Sequence, residues 1–286
     1  MDTTWDKLHE MFLRTKQTEG YSVHTTEWHR KTWARFRRYF PGEDITKTVL
    51  REFQLHMLEK QKPVSVKTLL VSLRTFFNWC VFEELTDTNP ARGVKAPRVN
   101  HEHKASLNDK TMLALLGAAT TTRDKAILTM LLDLGIRSRE VRELRAESVN
   151  LEELTVLLAQ TKGRTFRSLP ISPGAARVLR RWARERDKTV SWFFYAQGKR
   201  NGLGEPLTSS ALIQLVRRCA KRAGIKAYPH LLRHSFARHF IASGGSVAAL
   251  KQFMGHKSLA VTDRYVTLHF DDLAKSHHSI MDRSAK

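Results

Sequence analysis

The sequence predicts a mainly α protein with a small β component, an α+β fold carried on two domains. Three observations predict it. Over the first 97 residues, aromatic and apolar side chains recur at helical spacing. Around residue 90 the helical pattern gives way to Pro90, Gly93 and Pro97. In the second half, one stretch rich in Leu, Val and Thr and interrupted by a turn breaks a succession of helical signals. At 286 residues the chain is long enough for two ordinary domains.

Four helices account for the first domain. The first is expected near residues 4–19, with Trp5, Leu8 and Phe12 on one stripe. The second spans 25–40, carrying Trp28, Trp33, Phe36 and Phe40 among Arg30, Lys31, Arg35, Arg37 and Arg38, and Pro41-Gly42 stops it. The third covers 46–60. The fourth, 65–84, presents Leu69, Leu73, Phe76, Phe77 and Cys80, with Lys67 and Arg74 among them. The aromatics read as the core of a small bundle. The basic residues read either as phosphate contacts or as a solvated face. Residues 89–105 read as an extended linker, which sets the domains at 1–88 and 106–286.

In the second domain, 124–133 is a short apolar helix ended by Gly135. Residues 153–160 and 166–171 form a strand–turn–strand pattern, with Thr161-Lys162-Gly163-Arg164 at the turn. Ser172 and Pro173 start a basic helix that sets Arg177, Arg180, Arg181, Arg184 and Arg186 opposite Val178, Leu179 and Trp182. Thr208 caps a helix ending at Gly224. Residues 230–243 form one closed by Gly244-Gly245, and 246–254 one closed by Gly255. A last helix is expected near 271–280.

The formal net charge is +21, and it is unevenly placed. Residues 1–97 hold 16 Lys and Arg against 12 Asp and Glu, whereas residues 98–286 hold 33 against 16. That excess favours a polyanionic partner, nucleic acid first. No run reaches the roughly 18 apolar residues of a membrane span. The start, Met1-Asp2-Thr3-Thr4-Trp5-Asp6, is acidic and unlike a signal peptide, so the cytoplasm is the expected site of action. Cys80 and Cys219 are two isolated thiols and read as small buried apolar residues.

Six dispersed residues suggest a specific reaction: Arg137, Lys162, His230, Arg233, His256 and Tyr265. Cleaving a phosphodiester adds negative charge to two non-bridging oxygens. Arginine meets such oxygens with two parallel donors and stays charged at physiological pH. Arg137 at a turn-to-helix junction and Arg233 one turn into a helix can clamp one phosphate from two sides. A tyrosine phenol can be the nucleophile, although its ordinary pKa of about 10 calls for a cationic setting. A lysine on a hairpin suits protonation of the leaving oxygen, and histidines can hold or relay protons near neutral pH. Each residue alone has an ordinary reading as well: a packed tyrosine, a helix-end histidine, an exposed turn lysine. His230 and His234 have the four-residue spacing of metal ligands. Arg233 between them would repel a cation, and no Glu completes a His-Glu-x-x-His pattern, so no metal is expected. No phosphate loop is present, so no nucleotide cofactor is expected either.

The set in this order resembles the tyrosine recombinase (phage integrase) family. The likeness rests on Arg137 and Glu140 after Gly135, on Lys162 in Thr161-Lys162-Gly163 followed by Arg167-Ser168-Leu169-Pro170, with Arg164 and Arg167 as basic neighbours, and on His230 and Arg233 continued by His234-Ser235-Phe236-Ala237. It continues through Gly255-His256 to Tyr265, and the first half shares it at Phe76-Phe77 and Asn89-Pro90-Ala91-Arg92-Gly93-Val94. Ser138-Arg139 departs from the family's apolar-then-small pair, and Lys257 stands where small residues are common.

The resemblance implies a helical, SAM-like core-binding domain and a catalytic domain that close as a clamp around double-stranded DNA at a specific recombination site. It implies Arg137, Lys162, His230, Arg233, His256 and the nucleophile Tyr265 as catalytic residues, with Glu140 supporting them. Tyr265 would form a 3′-phosphotyrosine, and strands would exchange through a Holliday junction. The active form would be a homotetramer on DNA, a monomer or weak dimer when free, with accessory proteins or a partner recombinase compatible with it. The helix near 271–280 would dock on a neighbouring protomer. DNA-contact candidates are Arg35, Arg38, Lys67, Arg74, Arg164, Arg217, Arg218 and Lys221.

About 97 residues before the linker's end leave space for one core-binding domain and none for an arm-binding domain. That favours the simple Xer, Cre or transposon-resolving type. Resolution of dimers or cointegrates is then expected ahead of integration or excision of a mobile element. Type IB topoisomerase-like cleavage and rejoining is the nearest alternative, and it would relax supercoils without joining two sites. A non-catalytic DNA-binding regulator on the same fold would have no need of a nucleophile. A ribosomal or RNA-binding protein would explain the charge and none of the spacing.

Overall fold

The structure is a computed structural model that describes residues 4–99, 106–159, 166–197 and 204–255. The chain divides into two compact units, with the boundary between residues 103 and 104.

The first unit is helical: α1 Trp5–Thr18, α2 Val23–Tyr39, α3 Lys47–Lys60 and α4 Pro63–Phe82. Ser22 accepts from the Thr25 N–H and Thr46 from the Val49 N–H, so α2 and α3 start on side-chain caps. Pro63 occupies the first turn of α4, where its missing N–H costs nothing. The core is strongly aromatic, with Phe12, Phe36, Phe53, Phe76 and Phe77 fully buried. His9 lies flat on Trp33, ring centroids 4.9 Å apart, and meets the edge of Phe76 at 5.0 Å. His29 pairs through Nδ1 with the Ser72 hydroxyl at 2.8 Å. Burial pushes the His9 ring down to about 3 and the His29 ring to about 4, so both are neutral core groups.

Part of the stretch expected as linker belongs to this unit. Ala91 and Val94 are buried in its core. The Asn89 amide donates to the Arg74 carbonyl and to Asn78 Oδ1, and the Arg74 guanidinium donates to the Val94 carbonyl at 2.8 Å. The short apolar side chains at these positions anchor the exit of α4 in place of a free spacer.

The second unit contains α5 Asp109–Gly117, α6 Thr122–Asp133, α7 Ser138–Arg142, β1 Val149–Asn150, β2 Thr155–Ala159 and β3 Phe166–Pro170. It continues with α8 Pro173–Glu185, α9 Ser209–Arg222, α10 Pro229–Ala242 and α11 Val247–Met254. The α+β reading therefore holds, with β1 and α5 as additions and α7 as the short helix expected after Arg137. The sheet is an antiparallel meander in the order β1-β2-β3, with Val156 opposite Leu169 and Leu158 opposite Arg167. Helix α6 packs against both α8 and α10, and its buried Ile127, Leu128, Met130 and Leu131 centre the main core. A smaller apolar cluster joins α10 to α11: Phe236, Ala237, Leu250 and Met254, with Phe240 and Phe253 beside it.

One basic residue departs from its expected place. Arg186 leaves the arginine face of α8, lies buried as its C-cap, and donates to the carbonyls of Val190 and Trp192. Both cysteines are buried free thiols, and burial pushes Cys80 up to about 12.

Candidate active site

The site forms where α7, β3, α10 and the end of α11 converge. Its first element is the turn before α7. Gly135 adopts φ +57°, and a Cβ there would lie 2.1 Å from the Phe236 ring, so only glycine fits between α6 and α10. This turn places Arg137 as the N-cap residue of α7 and Glu140 three residues on, inside the first turn. The Glu140 carboxylate accepts from the Arg137 backbone N–H at 2.7 Å and from Arg137 Nη1 at 3.0 Å.

Glu140 is buried and carries a second, tighter partner. Arg167 on β3 approaches it bidentately, Nη1 to Oε1 at 2.8 Å and Nη2 to Oε2 at 2.9 Å. Burial resists ionisation of Glu140. The hydrogen bonds from Arg167 and the Arg137 N–H, with the charges of both guanidiniums, outweigh it and hold the carboxyl below its usual range.

The α10 side is built from Pro229 at the helix start, His230 after it and Arg233 one turn later. His230 is exposed, whereas Arg233 is buried. Arg233 Nη1 donates to the Gly135 carbonyl at 2.5 Å, tying α10 to the turn before α7. Its Nη2 donates to the Met254 carbonyl at 2.7 Å.

The end of α11 completes the arrangement. A helix leaves its last carbonyls without intrahelical partners and with partial negative charge. Here three consecutive carbonyls accept from three different arginines: Phe253 from Arg167 Nε at 3.2 Å, Met254 from Arg233, and Gly255 from Arg137 Nη2 at 2.8 Å. Gly255 stops α11 in the left-handed region at φ +58°. A Cβ there would lie 3.0 Å from Arg167 Nη1 and 3.1 Å from Arg137 Nη1. Three guanidiniums thus close on one helix end with one carboxylate among them, a cationic focus suited to an oxyanion. The Arg137 side chain is 38% exposed and is the cation through which that focus reaches solvent.

Of the sequence-predicted site, Arg137, Glu140 and Arg233 are brought together, and His230 shares the first turns of α10 with Arg233. Lys162, Arg164, His256, Tyr265 and the helix expected near 271–280 lie outside the described residues. Among the DNA-contact candidates, Arg35, Arg38, Lys67, Arg217, Arg218 and Lys221 are exposed. Arg218 also reaches Asp124 at 3.9 Å, and Arg74 is half-buried on the Val94 carbonyl. Sequence reasoning noted Arg167 only as a basic neighbour of Lys162 on the hairpin and missed its pairing with Glu140. The signal was its five-residue distance from Lys162 on one hairpin, and its partners lie on elements distant in sequence. In the structure Phe166 points out at 62% exposure while the Arg167 side chain turns inward with Leu169.

Residues 105–271 match the phage integrase family. The chain is 32% identical over 235 residues to the tyrosine recombinase XerC of Alcanivorax borkumensis, covering 78% of this chain and 75% of that protein. Its fold is similar to that of the Tn1549 transposon integrase in complex with transposon right end DNA, with TM-score 0.78, 17% identity, and coverage of 96% and 99% of the two chains. It is also similar to a lambda integrase tetramer bound to a Holliday junction, with TM-score 0.73, 17% identity, and coverage of 90% and 78%. No helix among the described residues is long and apolar enough to cross a membrane.

Proposed function

The chain belongs to the phage integrase family and is a site-specific DNA recombinase of the tyrosine class; on that premise we propose how its residues divide the work. Arg137 and Arg233 hold the non-bridging oxygens of the scissile phosphate. The Tyr265 phenol attacks phosphorus, the bond to the 5′ oxygen breaks, and Lys162 delivers the proton that leaves with the 5′-hydroxyl. His230 and His256 hold and relay protons, and Glu140 orients Arg137. The product is a 3′-phosphotyrosine that conserves the bond energy, so the 5′-hydroxyl of a second strand can reverse the step in a new pairing. The reading needs no metal, because the arginines supply the charge that a metal would.

The single observation that carries the reading is the run of three arginines on the carbonyls of Phe253, Met254 and Gly255. A phosphate is a stronger acceptor than a carbonyl and would draw the exposed Arg137 fork first. The first unit, residues 1–88 with the segment through Val94, serves as the core-binding domain and 106–286 as the catalytic domain, whose segment near 271–280 docks on a neighbour. The partner is double-stranded DNA at a specific site, held by a homotetramer in the cytoplasm. The likeness to a recombinase tetramer on a Holliday junction supports this assembly. Arg35, Arg38, Lys67, Arg74, Arg164, Arg217, Arg218 and Lys221 provide backbone and base contacts.

The test uses nicked duplexes tiled from the DNA flanking the gene, incubated with the full chain in chelator. A nick lets the 5′-hydroxyl fragment diffuse away and traps the covalent step. The expected result is an SDS-stable adduct, mapped by mass spectrometry to a 3′-phosphate on Tyr265 and absent from Tyr265→Phe. Tight footprinted binding without any adduct would favour a regulator on this fold, and supercoil relaxation without joining of two sites would favour the topoisomerase-like alternative.

A further inference from the structure

Arg167 is the buried cation at this site for which the proposed chemistry has no use. A buried guanidinium is costly unless it is paired and its donors are met. Arg167 meets both conditions: its side chain is 8% exposed and every nitrogen is engaged. Two nitrogens grip both oxygens of Glu140, and Nε holds the Phe253 carbonyl. Glu140 Oε1 is shared between Arg167 and Arg137, and both guanidiniums close on the same face of Gly255. Among the described residues the Arg137 guanidinium donates to Glu140 and to the Gly255 carbonyl, and Arg167 holds the element behind each of them.

We propose that Arg167 is a positioning residue for strand cleavage: it locks Glu140 and the end of α11, and through them aims Arg137 at the scissile phosphate. The proposal rests on the reading of Arg137 as a phosphate ligand. Arg167 touches no DNA in this role. Its planar fork is essential to it, because a lysine would keep the charge and lose the bidentate grip. The same contacts join strand β3, which leads back to Lys162, to the helix end that leads on to His256.

The test is a double-mutant cycle read as the single-turnover rate of adduct formation by the full chain. The probe is the nicked flanking duplex that gives the wild-type adduct. The four proteins are wild type, Arg137→Ala, Arg167→Met and the double variant. Misplacing a catalytic group by an ångström costs about 10²-fold, and that loss is expected for Arg167→Met, with duplex affinity unchanged within about 2-fold. In the Arg137→Ala background the same substitution should change the rate by no more than about 2-fold, because nothing is left to aim. Arg167→Lys should fall between the two. Equal losses in both backgrounds, or a wild-type rate for Arg167→Met, would overturn the proposal. A wild-type rate for Arg137→Ala alone would instead overturn the reading beneath it, recognisable because that variant leaves Arg167 intact. If Arg167→Met fails to fold by circular dichroism, Arg167→Lys and Arg167→Gln carry the same cycle.

Discussion

Both units bury titratable side chains, and they treat them in opposite ways. In the first unit, His9 and His29 sit among Phe12, Trp33 and Phe76, and burial keeps both rings neutral. In the second unit, Glu140 is as buried as a core residue and remains ionised, because two guanidiniums and a backbone N–H meet its oxygens. The first unit spends its burial on packing, as a scaffold can. The second also buries Asp124, beside Arg123, and Arg186, at the end of α8, and it gathers three guanidiniums and one carboxylate at the helix end where the proposed chemistry needs preorganised cations. A buried ion cluster is poor evidence of stability by itself, and three arginines converging on one helix end are better read as a demand of function.

The largest effect should come from splitting the ion cluster. Glu140→Ala leaves Arg167 buried with its main partner gone, and breaking such a pair costs about 3–5 kcal/mol. Hydrogen exchange should place that loss on α7, β3 and the end of α11, with the first unit's protection unchanged. Adduct formation should fall with it. Loss of protection spread evenly over both units would mean that Glu140 is not a local keystone.

A smaller effect, in the other unit, follows from pH. The folded-state values of His9 and His29 are depressed below 6.5, so the unfolded chain binds protons that the folded chain refuses. Their stabilisation is complete above pH 6.5 and is lost as pH falls from there toward about 3 for His9 and about 4 for His29. At pH 5 each should cost the first unit about 2 kcal/mol relative to neutral pH. Glu140 behaves differently: its carboxyl is held below the ordinary 4.5, so its contribution persists above that value and is lost only as pH falls through the lowered one. Between pH 7 and 5 the first unit should therefore soften while the arginine cluster holds. Denaturant titrations followed by unit-specific hydrogen exchange check this, and His9→Phe should flatten the slope. A second unit that softens first would break the comparison.

Much of this arrangement could be read from the residues. Aromatic spacing placed the four helices of the first unit, and Gly135, Gly244-Gly245 and Gly255 marked helix ends that the structure reproduces. The pairing of Arg137 with Glu140 was legible because a spacing of three within one helical turn brings side chains together. Arg167 was legible as a basic neighbour of Lys162 but not as the partner of Glu140. The register of β3 turns Arg167 inward with Leu169, and its partners there, Glu140 and the Phe253 carbonyl, come from elements distant in sequence. Helix α5 was missed although Asn108 caps it, because its apolar stripe is weak and Leu113 is 69% exposed. The capture of Ala91 and Val94 by the first unit was hidden by the prolines and glycine around them, which read as linker.

The most direct test of the central claim is a structure of the Tyr265→Phe chain on the nicked duplex that traps the wild type. The account predicts the scissile phosphate at the end of α11, its non-bridging oxygens within hydrogen-bond distance of Arg137 and Arg233, with Arg167 still gripping Glu140. A phosphate seated elsewhere, with Arg137 and Arg233 still on the carbonyls of Gly255 and Met254, would contradict it.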